Sequence, residues 1–236
     1  QGELAAAELS ARDLVARLPK SGIGHALLGD IAVARKQEAA ATSAYRRAHE
    51  IDGTRNSLLR LFNHLAGNQP TESIRLAEQW LKKHPQDVVV WRSVADGQAR
   101  AGDWAGSRRS YETLLQSNPD DAEALNNLAN VLLVQNDPAA LKTAERAYAL
   151  KSTAPHIIST LGWAAHKAGQ GDRALQLLRD ARLRNPDSNE TRYYLGAALA
   201  TMGRSSEAKA ELQAALQSGR AFASQKDAQA LLGTLK

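Results

Sequence analysis

One pattern of residues occurs twice between residues 155 and 219, at a fixed offset of 34 residues. The pair Leu161 and Gly162 recurs as Leu195 and Gly196. Four further pairs keep this offset: Gly169 with Gly203, Ala174 with Ala208, Leu178 with Leu212, and Ala181 with Ala215. A period of this length predicts two helices joined by a turn, a unit that buries its apolar side only by stacking on copies of itself.

The composition of the chain fits a helical array better than a sheet. Hydrophobic residues make up 43% of the 236 residues, but aromatic residues make up only 5%, and alanine is abundant. Small side chains let helices approach closely, so we predict an all-α fold. There is no cysteine, which excludes disulfides and thiolate chemistry. The formal charge of +5 permits anionic partners without requiring them.

Small residues recur at the eighth and the twentieth positions of the repeat. The eighth position holds Gly29, Ala95, Ala129, Gly162 and Gly196, and the twentieth holds Ala41, Ala140, Ala174 and Ala208. This pattern resembles the tetratricopeptide repeat (TPR), in which such residues let the two helices of one unit touch. The resemblance implies a right-handed superhelix of stacked helix pairs, an α–α solenoid, with about six repeats.

We expect residues 1–236 to form a single TPR array. Its predicted parts are a partial repeat with only a second helix (1–21), six repeats (22–53, 54–87, 88–121, 122–154, 155–188 and 189–222) and a capping helix (223–236). The repeat at 54–87 is irregular, with a shortened turn around residues 67–70. The partial repeat leads us to expect that the array continues before residue 1.

In tetratricopeptide arrays, residues of the first helices line a concave groove that holds a partner. Carried onto this chain, the resemblance places eleven residues of interest there: Arg92, Asp96, Asn126, Asn127, Asn130, His156, Thr160, Trp163, His166, Tyr193 and Tyr194. Asparagine amides can pair with the backbone of an extended peptide, and aromatic residues are usual interface anchors. Two other interpretations stay open: the asparagines link neighbouring repeats, or the aromatic residues belong to the core.

One known mode of recognition fits this chain poorly. Chaperone-binding tetratricopeptide domains hold an acidic tail in a carboxylate clamp, made of Lys, Asn and Arg side chains at fixed positions of three repeats. Arg92 and Asn127 fit that clamp. The positions held by Asp96, His156 and Thr160 do not. We therefore do not expect the chain to recognise the acidic tail of a chaperone.

The sequence contains no pattern typical of catalysis or metal binding. Its six histidines are scattered, none forms an HExxH motif, and neither a glycine-rich phosphate loop nor a serine nucleophile elbow is present. We therefore expect no enzyme activity, no metal and no cofactor. The basic charge makes an RNA-binding helical repeat a rival, but the period favours a protein or peptide partner over nucleic acid. No apolar run approaches the roughly 18 residues of a transmembrane segment.

The second half of the chain shows a more specific resemblance. Its segments are LNNLANVLL (125–133), AERAYALK (144–151), TLGWAAHKAGQ (160–170), RYYLGAALATMGR (192–204) and AQALLGTLK (228–236). They resemble the C-terminal end of tetratricopeptide proteins, often lipoproteins, of bacterial exosortase and PEP-CTERM exopolysaccharide systems. The resemblance implies a periplasmic or outer-membrane-associated scaffold for exopolysaccharide assembly or export, with a lipid anchor in its precursor. A cytoplasmic adaptor and a self-associating structural module are the alternatives.

Overall fold

The computed structural model describes residues 2–235. Gln1 and Lys236, the outermost residues of the predicted partial repeat and capping helix, lie outside the described residues. Within 2–235 the chain forms fourteen α-helices and no strand, so the prediction of an all-α fold is confirmed. None of the helices in this range is both long enough and apolar enough to cross a membrane.

The helices fall into two compact units, Gln1–Ser110 and Tyr111–Lys236. One helix, α7 (Trp104–Ser117), begins in the first unit and ends in the second. Each unit contains buried apolar clusters of its own.

The first unit is a run of helices in which each packs against the next. They are α1 (Gly2–Arg17), α2 (Ile23–Ala34), α3 (Glu38–Asp52), α4 (Arg55–Asn68), α5 (Pro70–Lys83) and α6 (Val88–Arg100). Gly29 shows why α2 and α3 lie close together, because a Cβ atom there would be 2.6 Å from the Tyr45 ring. The aromatic ring fills the space that the missing side chain leaves.

The turn between α4 and α5 is shorter than the sequence predicts. Gly67, which we expected in the turn, lies inside α4, and Gln69 is the one residue between the two helices. Pro70 occupies the first position of α5. A proline fits there because the first N–H groups of a helix have no partner within it. The predicted extent of the turn, 67–70, is therefore wrong. The turn needs only Gln69, because Gly67 stays helical and Pro70 already begins the next helix.

The second unit contains the end of α7 and seven further helices. They are α8 (Ala122–Val134), α9 (Ala139–Leu150), α10 (Pro155–Lys167), α11 (Gly171–Arg184), α12 (Asn189–Thr201), α13 (Ser205–Gln217) and α14 (Gln225–Thr234). The first helices of the pairs, α8, α10 and α12, contact one another in order, and α14 continues this row beside α12. The second helices α9, α11 and α13 each pack on the first helix that precedes them.

Glycines in α10 and α12 bring the helix pairs of the second unit close together. A Cβ atom on Gly162 would lie 2.7 Å from Leu178 Cγ, and one on Gly196 would lie 2.8 Å from Leu212 Cγ. Both leucines are fully buried. Burial of such a side chain stabilises the fold by about 1.5–3 kcal/mol, so each helix pair adds its own share to the core.

Three turns between paired helices contain a glycine with positive φ: Gly102, Gly169 and Gly203. Asn136 takes the same place between α8 and α9, with φ of 53°. Asparagine tolerates this region better than most residues other than glycine. The buried Ala140 follows Asn136 by four residues, whereas the buried Ala174 follows Gly169 by five. The α8–α9 pair therefore has one residue fewer between the turn residue with positive φ and the buried alanine of its second helix.

Candidate partner-binding surface

Nine of the eleven predicted site residues lie on three neighbouring helices of the second unit. They are Asn126, Asn127 and Asn130 on α8, His156, Thr160, Trp163 and His166 on α10, and Tyr193 and Tyr194 on α12. We call this set the first-helix face. Because α8, α10 and α12 contact one another in order, the first-helix face runs across a single row of helices.

The other two predicted residues, Arg92 and Asp96, lie on α6 in the first unit. Both side chains are half-buried. Their spacing of four residues puts them on the same side of α6. They belong to the first unit, whereas the first-helix face belongs entirely to the second.

Four aromatic rings meet on α10 and α12, and we call them the aromatic cluster. Trp163 stacks on Tyr194, with ring centroids 4.5 Å apart and ring planes 7° apart. Trp163 also stacks on His166, at 4.9 Å between centroids. Tyr193 is tilted against both Trp163 and Tyr194, at 5.7 Å from each. Aromatic pairs of this kind contribute about 0.5–1.5 kcal/mol beyond the area they bury, so the rings hold one another in place.

The aromatic cluster is neither core nor free surface. All four of its rings are half-buried. The Nζ atom of Lys167 lies 5.5 Å from the centre of the Trp163 ring, where the negative face of the ring attracts an ammonium group. A rigid and partly exposed group of rings is the kind of surface that anchors a side chain of a partner protein.

Burial sets the protonation states within the aromatic cluster. It lowers the pKa of His166, and the charge of Lys167 lowers that pKa further, so His166 is neutral near pH 7. Burial raises the pKa of Tyr194, and the Glu190 carboxylate raises it further. Burial also raises the pKa of Tyr193. Both phenols therefore keep their protons at neutral pH.

The first two asparagines of the first-helix face are bonded to their own chain. Asn126 is only 4% exposed, and its Nδ2 donates to Asn127 Oδ1 at 3.2 Å. Asn127 Nδ2 in turn donates to the hydroxyl of Tyr111, on α7, at 3.1 Å. Asn126 Oδ1 is buried and has no hydrogen-bond partner among the described residues. Asn126 therefore orients Asn127 rather than presenting its own amide at the surface.

Asn130 lies beside the next first helix. Thr160 Oγ1 donates to the His156 carbonyl at 3.0 Å and lies 3.4 Å from Asn130 Oδ1. The Asn130 side chain is half-buried, and its Nδ2 has no hydrogen-bond partner within residues 2–235. The amide thus retains two N–H donors that could meet the carbonyl groups of a bound peptide.

Glu123 is a member of this surface that our sequence analysis missed. His156 Nε2 lies 2.8 Å from Glu123 Oε2, and Lys151 Nζ donates to Glu123 Oε1 at 2.8 Å. Lys151 and then His156 hold the pKa of the Glu123 carboxyl below its usual value. Glu123 is the second residue of α8, and Glu190 is the second residue of α12. This shared position in the repeat is the sequence feature from which Glu123 could have been predicted.

Glu190 links α12 to α14. Its carboxylate accepts hydrogen bonds from the hydroxyl and the backbone N–H of Ser224, immediately before α14. The neighbouring Asn189 donates to Ser218 Oγ at 2.6 Å and to the Arg220 carbonyl at 3.0 Å. These bonds fasten α14 at the end of the row of first helices.

The histidines of the first-helix face do not form a metal site. His156 contacts Glu123, whereas His166 stacks on Trp163. Across residues 2–235, no group of three or more His, Asp or Glu side chains is arranged to hold a metal ion.

Comparison with protein families identifies the repeats. Residues 95–155 and residues 165–233 each match a family model described as tetratricopeptide repeat, and the two stretches make up more than half of the chain. The chain therefore carries tetratricopeptide repeats, as the residue pattern predicts. A search of curated proteins by sequence found no match.

Solved structures with similar folds include two that are described as TPR proteins. A chain of the APC/C hetero-tetramer Cut9–Hcn1 matches 99% of this chain with a TM-score of 0.73 at 15% identity, and this chain spans only 46% of its length. TTC0263, a thermophilic TPR protein of Thermus thermophilus, matches 77% of this chain and 98% of its own, with a TM-score of 0.61 at 22% identity. YrrB, described as a TPR protein with an unusual peptide-binding site, matches 76% and 94%, with a TM-score of 0.58 at 17% identity. Identities this low support the fold alone.

Proposed function

We propose that the chain is a non-catalytic scaffold for protein–protein interaction, and that its first-helix face binds a peptide or a helix of a partner protein. The aromatic cluster carries this proposal, because its half-buried rings hold one another in place and still expose part of their area. Rigid aromatic residues give contact area at a low cost in conformational entropy. The peptide-binding site in the description of YrrB supports the same mode of action for this fold.

The residues around the aromatic cluster suit the backbone of a bound peptide. Asn130 Nδ2 can donate to a peptide carbonyl, since Thr160 engages only the oxygen of that amide. His156 is held by Glu123 and is half exposed, so it also offers a polar contact. A peptide that crosses α8, α10 and α12 would place its backbone over these groups and one large side chain on the rings.

The test of this function uses random dodecapeptides displayed on phage and selected on the immobilised chain. We expect the selected peptides to lose about ten-fold or more in affinity for the Trp163→Leu variant, because the central ring of the aromatic cluster is gone. The matched control is Leu183→Ser on the second helix α11, which removes a side chain that is 73% exposed. This control should bind the peptides as the wild type does.

Two results would contradict the proposed function. One is the failure to select any peptide on the folded chain. The other is equal affinity for the wild type and for a Trp163→Leu variant with unchanged helicity. If that variant loses helicity, Asn130→Ala takes its place, because this change removes the free amide donors and leaves the core untouched. Peptide affinity that is unchanged by Asn130→Ala would then contradict the proposal.

We further propose that this scaffold acts in the bacterial cell envelope, in exopolysaccharide and PEP-CTERM assembly or export. The resemblance of segments 125–133, 160–170 and 192–204 supports this proposal. The native protein should then be found in the periplasm or at the outer membrane, with a lipid anchor on its precursor. Cell fractionation with radiolabelled palmitate tests both points, and recovery of unlabelled protein in the cytoplasm would favour a cytoplasmic adaptor instead.

A further inference from the structure

Tyr193 is the ring of the aromatic cluster that is stacked on no other ring of the cluster. It is tilted by 52° against Trp163 and by 54° against Tyr194, so it stacks on neither. Its side chain is half-buried, and its hydroxyl makes no hydrogen bond within the described residues. Part of the Tyr193 ring is therefore available for a planar group from another molecule.

Two carboxylates lie close to Tyr193. Glu190 precedes it by one turn of α12, and Asp227 is in the first turn of α14, the helix that packs beside α12. Ser224, which is hydrogen-bonded to Glu190, precedes Asp227 by three residues, so Asp227 lies at the end of α14 that is joined to α12 near Tyr193. In agreement with this placement, burial raises the pKa of Tyr193, and the charges of Asp227 and Glu190 both add to that effect. The Tyr193 ring thus has negative charge at its edge.

Neither carboxylate forms an ion pair with a basic side chain of residues 2–235. Glu190 accepts hydrogen bonds from the uncharged hydroxyl and N–H of Ser224. Asp227 is exposed and forms no ion pair with any residue of the range 2–235. The nearest cation on the aromatic cluster, Lys167, lies over Trp163 instead. As far as residues 2–235 are concerned, the side of the aromatic cluster towards α14 therefore carries negative charge that no ion pair offsets, beside the half-buried Tyr193 ring.

We propose that Tyr193, Glu190 and Asp227 form a subsite for an arginine side chain of the bound peptide. The inference rests on the proposed function and specifies the ligand of the same surface. A guanidinium group is planar, stacks on aromatic rings and donates a fork of hydrogen bonds to carboxylates. Lysine has a compact ammonium group with stronger hydration and cannot stack in this way, so the subsite selects arginine over lysine.

The experiment combines a change in the peptide with a change in the protein. Peptides selected from the phage library are synthesised with arginine and with citrulline, which has nearly the same shape but no charge. On the wild type we expect arginine peptides to bind about five-fold more tightly, since one exposed ion pair and one ring contact act together. On Asp227→Asn this ratio should fall to about two-fold, because the change removes the exposed carboxylate while Glu190 and the Tyr193 ring remain.

A matched control separates this subsite from general effects of charge. Asp172→Asn removes a carboxylate from the first turn of α11, as Asp227→Asn does from α14, so both lose the same favourable interaction with the helix dipole. The Asp172 variant should keep the five-fold preference for arginine over citrulline. Asp227→Lys should favour citrulline over arginine, because it places a like charge in the subsite.

The outcomes distinguish this inference from the proposed function. Selected peptides without an enriched arginine, or with lysine enriched equally, would overturn the arginine subsite while leaving peptide binding intact. The subsite is also overturned if the ratio of arginine to citrulline affinity is the same for the wild type and Asp227→Asn. A chain that selects no peptide at all overturns both proposals.

Discussion

At the scale of single residues, the absence of a side chain at Gly162 is a packing requirement. A Cβ atom there would lie 2.7 Å from Cγ and 2.9 Å from Cδ2 of Leu178, which is fully buried. We expect Gly162→Ala to lower the free energy of unfolding by about 1–2 kcal/mol, although alanine favours helices more than glycine does. Unfolding in urea, followed by circular dichroism, measures this change.

The control for that prediction is Gly233→Ala, in α14 of the same unit. A Cβ atom at Gly233 would meet nothing within 4 Å. This variant should be as stable as the wild type or more stable by up to about 1 kcal/mol, because alanine favours the helix and meets no neighbour. Equal stability of the Gly162 and Gly233 variants would show that Leu178 can move aside at no cost.

The half-buried His166 predicts how stability changes with pH. Because burial holds its pKa below the ordinary value of 6.5, the unfolded chain binds more protons than the folded chain just below that value. Stability therefore falls as the pH drops through 6.5 towards the lower pKa of the folded state. Between about pH 7.5 and about pH 5.5, the melting temperature of the wild type should fall further than that of His166→Gln.

His49 limits the size of that effect. Burial lowers its pKa too, so the His166→Gln variant should keep part of the dependence on pH. A variant with both histidines replaced should show the weakest dependence of the three proteins. An identical fall in melting temperature for the wild type and His166→Gln would contradict the prediction.

Residue identity predicts packing here better than it predicts hydrogen bonding. Glycine at positions 162 and 196 could be assigned to close helix contacts from the sequence, because a repeated small residue has few other reasons to recur. The partners of Asn126 and Asn127 could not be assigned, since a helical position does not state which acceptor lies within about 3 Å. The pairing of Asn127 with Tyr111 depends on how α7 and α8 pack.

At the scale of helices and turns, the turn between α2 and α3 is strained at Lys36. This residue has φ of 59°, where other turns of the chain have glycine or asparagine. A residue with a side chain is destabilised by about 1–2 kcal/mol in this conformation, and glycine avoids that strain. Part of the gain is lost in a glycine variant, because glycine makes the unfolded chain more flexible. We expect Lys36→Gly to raise the free energy of unfolding by about 0.5–1 kcal/mol.

Lys36→Ala is the matched variant for that test, because it removes the same long side chain and keeps a Cβ atom. It should not stabilise the protein. If Lys36→Gly and Lys36→Ala unfold at the same urea concentration, the strain assigned to this turn is absent.

The period of the repeat predicts paired helices, but it does not predict each of their ends. Turns with glycine, such as the one at Gly169, can be located from the sequence because positive φ selects glycine. The end of α4 could not be located, because Gly67 adopts helical geometry and Pro70 opens the next helix one residue after the turn begins. How the chain divides into six repeats, a partial repeat and a cap stays a prediction.

At the scale of the whole molecule, stability should depend on contacts between neighbouring helices. Leu115, on α7, packs against the buried cluster around Leu125, and Tyr111 of the same helix accepts a hydrogen bond from Asn127. A fragment of residues 104–236 keeps α7 complete, whereas one of residues 118–236 removes it. We expect both to be helical, because each repeat contacts only its neighbours, and the shorter one to melt at a lower temperature.

Circular dichroism of the two fragments measures this difference. A shorter fragment that melts at the same temperature as the longer one would show that α7 contributes nothing to the second unit. Loss of all helicity in both fragments would contradict the expectation that stability adds up along the array.

The residues of the candidate site cannot all be predicted from the sequence, because some come together only when separate helices pack. The sequence selects Trp163, Tyr193 and Tyr194 as candidates from their positions in the repeat. It does not select Asp227, because that residue belongs to α14 and comes to the same end of the row as Tyr193 only through the packing of α14 beside α12. Which of these residues a partner touches remains a prediction until a peptide is bound.

The aromatic cluster is built from just two adjacent first helices, and the fastening of α14 by Asn189 and Glu190 completes its surroundings. Residues 155–234 therefore contain the whole aromatic cluster and the helix α14 that packs beside it. We expect that this stretch, placed at the end of another array of 34-residue repeats, would carry the proposed arginine subsite with it, whereas the polar contact of Asn130 on α8 would be left behind.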